Sequence, residues 1–86
     1  MIVPNEILRA ARAALGMTQA ELARESGVGK RTILRIEQDE RVAVRTLKRV
    51  QVALEARGVE FVSSEPGHGP GLRLPLSAIK RDDLRF

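Results

Sequence analysis

Few side chains in this sequence are equipped to make or break bonds. The one histidine, His68, stands in the Gly-Pro-rich loop "EPGHGPG" with no second histidine beside it. It reads as a loop residue rather than a metal ligand or general base. The pair Ser63-Ser64 has no recognisable nucleophile context. There is no cysteine, which excludes disulfides, thiolate zinc sites and cysteine nucleophiles. With no cluster of acid, base and nucleophile, an enzyme is not expected. What the sequence does supply is cationic side chains: 15 Lys and Arg against 11 Asp and Glu, for a net charge of +4. Such groups bind anions, and the balance favours a polyanionic partner. Their most suggestive spacing is in "GVGKRTILRIE", Gly27 to Glu37, where Lys30, Arg31 and Arg35 are set among the apolar Val28, Ile33 and Ile36. The apolar residues call for a core, and the cations for something outside it.

Those cations need elements to hold them. The 86 residues make one domain, or one domain with a small appendage, and a chain this short buries a modest core that dimerisation would help. No apolar stretch approaches the roughly 20 residues needed to span a bilayer, and the N-terminus does not have the pattern of a secretory signal. A cytoplasmic, nucleoid-associated protein is the expectation, without membrane contact, cofactor or metal. Residues 1–58 read as helical. "PNEILRAARAALG" places Ile7, Ala11 and Leu15 on one face, with Pro4 or Asn5 suited to its start and Gly16 to its stop. In "TQAELARES", Thr18 and Glu21 form a capping box, each side chain bonding the other's backbone N–H. Leu22 and Ala23 then face inward, and Gly27 supplies the positive φ of a tight interhelical turn. A third helix is predicted from about Lys30 to Gln38 and a fourth from about Val44 to Arg57, with Leu47, Val50 or Gln51, and Leu54 on its inner face.

Residues 59–86 differ. "VEFVSS" and "GLRLPL" each suggest a short strand, with Val59 and Phe61 on one face of the first and Leu72, Leu74 and Leu76 on one face of the second. "SAIKRDDLRF" reads as a charged tail or a fragment of helix. The fold class is therefore mainly α: four to five helices with a short C-terminal β-hairpin or strand appendage.

The stretch "TQAELARESGVGKRTILRIE" resembles the helix-turn-helix of the Cro/CI-type phage-repressor family, also called the xenobiotic-response-element family. The matching positions are Gln19, Ala23, Gly27, Val28, Ile33, Ile36 and Glu37. Ala23 is small where the third helix crosses the second, Gly27 makes the turn, and Val28 and Ile33 wedge the two helices together. The resemblance covers residues 4 to 58. Two positions depart from it: Gly29 stands where the family often has Ser or Thr as a helix cap, and Arg41 to Val44 lack a capping residue before the fourth helix.

The resemblance implies double-stranded DNA as partner, with the third helix in the major groove. Lys30, Arg31 and Arg35 would read base edges, guanine above all, since its O6 and N7 accept a bidentate contact. Gln19 and Thr32 would meet phosphates, and Arg41, Arg45 and Lys48 would hold the flanking backbone, giving register rather than sequence. Arg12 and Glu37 occupy positions that form an interhelical ion pair in phage repressors, a structural role preferred for Arg12 over DNA contact. Arg35 has an alternative as a partner of Glu21 or Asp39. The family usually binds as two-fold dimers on near-palindromic sites. Two copies of the C-terminal hairpin, joined edge to edge, would bury Phe61, Leu72 and Leu74 in a homodimer interface, unless the hairpin folds back as a cap on its own fourth helix. The leading expectation is a sequence-specific transcriptional regulator. The alternatives are an antitoxin that represses its own operon and binds a toxin through residues after Gly58, and a protein-interaction module that keeps the fold without binding DNA.

Overall fold

The computed structural model describes residues 2–79. Four helices run in order: α1 Asn5–Ala14, α2 Gln19–Ser26, α3 Lys30–Glu37 and α4 Val44–Ala56. An antiparallel hairpin follows, β1 Glu60–Val62 with β2 Gly71–Arg73, and then a single 3-10 turn at Leu76–Ala78. The tail "SAIKRDDLRF" thus begins as a 3-10 turn, and its residues 80–86 lie outside the described part.

Each boundary has a local cause. Pro4 precedes α1, and its carbonyl accepts from Ile7 and Leu8. The capping box opens α2: Glu21 N–H donates to Thr18 Oγ1 at 3.0 Å, and Thr18 N–H donates to Glu21 Oε1 at 2.9 Å. Gly27 closes α2 in the left-handed region, φ 74°. Gly29 and Ala43 precede α3 and α4 without a side-chain cap bond, so these two helices start on backbone geometry and packing alone.

Packing converts the helical spacing into a core. α2 lies against α3 and α4, and α1 against the same two helices. Leu8, Leu22, Ile33, Ile36, Val50 and Leu54 are the largest fully buried side chains; each Leu or Ile among them contributes about 1.5–3 kcal/mol by leaving water. Ala23 is buried in this core, where a small residue lets helices approach. On α1 the deepest residues are Leu8 and Ala11, while Ile7 and Leu15 flank them half-buried. On α4 both Val50 and Gln51 are buried, and Gln51 satisfies its amide by donating to Glu55 at 3.1 Å.

The core continues past the helices. Val59 is buried, and Phe61, Leu72 and Leu74 pack half-buried against the helical core. Phe61 faces Leu72 directly across the ladder, with Glu60 opposite Arg73 and Val62 opposite Gly71. A two-stranded hairpin is marginal in water; this one is supported by the core beneath it. The strands are shorter than the sequence pattern suggests, because Pro70 and Pro75 bound β2 and cannot donate to a ladder. The alternation therefore stops before Leu76, which is 74% exposed rather than on the covered face of Leu72 and Leu74.

Gly58 is the joint. Its φ is 96°, and a Cβ there would lie 2.9 Å from the Pro75 Cβ. We expect Gly58→Ala to cost about 1–3 kcal/mol, combining backbone strain with a clash against a stiff ring. Gly27→Ala, at φ 74° with no neighbour within 4 Å, should cost less. Urea unfolding of both variants checks the difference; equal losses would mean that Pro75 yields freely.

Candidate nucleic-acid interface

The α3 helix has two faces. Ile33 and Ile36 point into the core, with Thr32 and Glu37 half-buried at its edges. Lys30, Arg31, Leu34 and Arg35 are exposed. At 3.6 residues per turn, Lys30 and Leu34 stack one turn apart, as do Arg31 and Arg35, so these four share the outer face. Burial of the isoleucines thereby fixes which way the cations point.

None of Lys30, Arg31, Arg35, Arg41, Arg45 and Lys48 takes part in an ion pair among the described residues. The acids considered for Arg35 are engaged elsewhere. Glu21 belongs to the capping box, and Asp39 accepts from Asn5 Nδ2 at 3.2 Å. Arg35 thus projects from α3 beside Arg31 without a carboxylate partner among the described residues. Arg41 lies in the connection to α4, and Arg45 and Lys48 are exposed on the first two turns of α4. Sequence reasoning passed over Leu34, which is 40% exposed among the cations of α3. Its signal was legible: it falls off the Ile33–Ile36 face and one turn after Lys30. An exposed leucine in that place suits contact with a thymine methyl.

At the edge of this face, where α3 ends, a polar lock joins three helices. Arg12 on α1 grips Glu37 at the end of α3 with two parallel bonds, Nε to Oε2 at 2.5 Å and Nη2 to Oε1 at 2.9 Å. Arg12 Nη1 also donates to the Met17 carbonyl at 2.6 Å. Gln19 Nε2, from the first turn of α2, donates to Glu37 Oε1 at 3.1 Å. Any phosphate contact from the Gln19 side chain therefore shares its amide with that bond. The pair is largely withdrawn from solvent, with side-chain exposures of 17% for Arg12 and 7% for Glu37. Burial disfavours the ionised Glu37 carboxylate, but the hydrogen bonds from Arg12 and Gln19 outweigh it and hold its carboxyl below the usual range. The bond to Glu37 in turn raises Arg12, against its partial burial. This lock is where the structure places Arg12, bonded within the protein.

Other charged contacts are peripheral. Arg57 at the end of α4 grips Glu25 on α2, with Nε to Oε1 at 2.8 Å, on the exposed surface. Glu65 Oε1 is 3.8 Å from His68 Nδ1, both side chains being exposed at a loop tip. Phe61, Leu72 and Leu74, on the hairpin and just after it, cover part of the helical core. Among the described residues, no helix is long and apolar enough to cross a membrane.

A family model described as helix-turn-helix matches residues 8–61, reaching from α1 into β1. No curated protein matches the chain at a significant level. The matched span contains the lock, the turn at Gly27 and the outer face of α3. The chain belongs to the Cro/CI-type helix-turn-helix family of DNA-binding regulators.

Proposed function

We propose that the protein is a sequence-specific transcriptional regulator that places α3 in the major groove of an operator. Lys30, Arg31 and Arg35 read base edges. Thr32, Arg41, Arg45 and Lys48 hold the phosphate backbone, with Gln19 beside them at the first turn of α2. The observation that carries this reading is the outer face of α3: three cations on one helical face, none held by a carboxylate among the described residues. A surface of unpaired cations on a rigid helix is suited to bidentate contact with guanine and to neutralising phosphates.

We further propose a two-fold dimer acting in the cytoplasm on a near-palindromic site. One reading helix covers few base pairs, and a symmetric pair doubles the contact at half-sites about 10 base pairs apart. The hairpin offers the joint. Its sheet has two strands, so each strand has an outer edge without a ladder partner among the described residues. Val62 at the end of β1 is 42% exposed. Pairing across the axis would extend the sheet and close what remains open of Phe61, Leu72 and Leu74.

Genome-wide binding followed by footprinting of one recovered site tests both statements. The expected result is protection of two half-sites one helical turn apart, with affinity falling steeply as salt rises. A chain with no salt-dependent affinity for duplex DNA would overturn the DNA reading. Protection of a single isolated half-site would overturn the dimer.

A further inference from the structure

The solvent side of α4 carries a second surface, distinct from the outer face of α3. Val44 and Val52 are two turns apart and 58% and 51% exposed. With Ile2, Ala53 and Ala56 they line an open groove of about 790 Å3 that runs between α4, the N-terminal segment and the end of α2. The cations Arg45, Lys48 and Arg49 also line it, and none of them is in an ion pair among the described residues. The one carboxylate in the lining, Glu25, is already held by Arg57.

This combination selects its occupant. DNA would satisfy the cations and leave the valines in water. A second copy meets a charge conflict: antiparallel pairing of two α4 helices that sets Val44 on the other copy's Val52 places Lys48, midway between them, on the two-fold axis against itself. Like charges so placed repel. An apolar stripe edged by carboxylates meets both the valines and the cations, with one carboxylate reaching Lys48 between the valines and others along the Arg45 and Arg49 side. The small Ala53 and Ala56 leave room for a helix backbone. We propose that the groove binds an amphipathic helix of a partner protein, with apolar residues spaced i, i+3 or i+4, i+7 and with Asp or Glu on its flanks. Arg45 and Lys48 are also the phosphate contacts of the DNA reading. It follows, resting on that reading, that such a partner and DNA exclude each other, so the partner acts as a release factor.

The probe is a fluorescein-labelled helical peptide of about 18 residues, long enough to fold in part by itself, with leucines on one face and glutamates on both flanks. It is titrated into the full chain without DNA. Saturable binding is expected, weakened at least about tenfold by Val52→Gln and by Lys48→Ala. A peptide with lysine in place of every glutamate should not bind. Amide shifts should cluster at Ile2 and along Val44 to Ala56. Val52 is exposed and touches no DNA in this arrangement, so Val52→Gln should fold normally and keep its affinity for a random duplex. The docking proposal is overturned if Val52→Gln binds the peptide like wild type or if the shifts fall on α3. It is equally overturned if Val52→Gln dissolves a dimer seen by sedimentation, since the groove then belongs to a second copy. A last titration adds the peptide to the chain bound to a random duplex. Release of DNA supports exclusion. A ternary complex leaves the docking site standing and overturns the shared use of Arg45 and Lys48.

Discussion

Glu37→Ala is expected to destabilise the protein by about 3 kcal/mol, among the largest losses from any single substitution outside the apolar core. The carboxylate accepts two bonds from Arg12 and one from Gln19 in a site where it is only 7% exposed. Its removal strands a guanidinium that is largely out of water and loosens the joint between α1 and α3. Arg12→Ala should cost a similar amount, because it leaves the acid without its cation and the Met17 carbonyl without its donor. The double variant Arg12→Met with Glu37→Leu should lose much less than the two single effects added, since neither charge is then stranded. Urea denaturation of wild type, Arg12→Met, Glu37→Leu and the double variant forms the cycle; additive losses would mean that the pair contributes nothing as a pair. The same site sets a dependence on pH. The folded-state pKa of Glu37 is depressed, so its stabilisation is present above the unfolded value of about 4.3 and is lost as pH falls through the folded value. Wild type should therefore lose stability on acidification from about pH 5 downwards more steeply than Glu37→Gln does. Parallel profiles for the two proteins would remove Glu37 from the account.

Replacing Arg31 or Lys30 with Ala should weaken operator binding by about 1–3 kcal/mol, roughly 5- to 150-fold, and relax preference at one base pair. Both side chains leave the first turn of α3 on its solvent face, so neither substitution disturbs the core. Lys48→Ala should act differently, weakening all duplexes alike and flattening the salt dependence, as loss of a phosphate contact does. Leu34→Ala separates a methyl contact from a charge contact, because it should change base preference while leaving the salt slope intact. Binding titrations against the operator and its single-base variants, at several salt concentrations, read all four. If Lys30→Ala and Arg31→Ala both bind the operator like wild type, α3 does not read the groove.

Much of this architecture follows from local rules that a sequence displays. The capping box at Thr18 and Glu21, the positive φ at Gly27, and the inward set Leu22, Ala23, Ile33 and Ile36 depend on spacing within one or two turns. The cationic outer face of α3 follows as well, because a short helix that buries two isoleucines has no other way to turn its lysine and arginines. The tertiary structure decided what spacing alone leaves open. Val50 and Gln51 both compete for the inner face of α4, and packing buried both, with the Gln51 amide satisfied by Glu55. Leu72, Leu74 and Leu76 alternate in sequence, but Pro75 ends the strand and sends Leu76 into solvent. Arg35 had two acids within plausible reach, and only the fold shows each engaged elsewhere, at Thr18 and at Asn5. Which valines of α4 stay uncovered depends on where the N-terminal segment and the end of α2 come to rest. Those are contacts between residues distant in the chain, and helical periodicity carries no information about them.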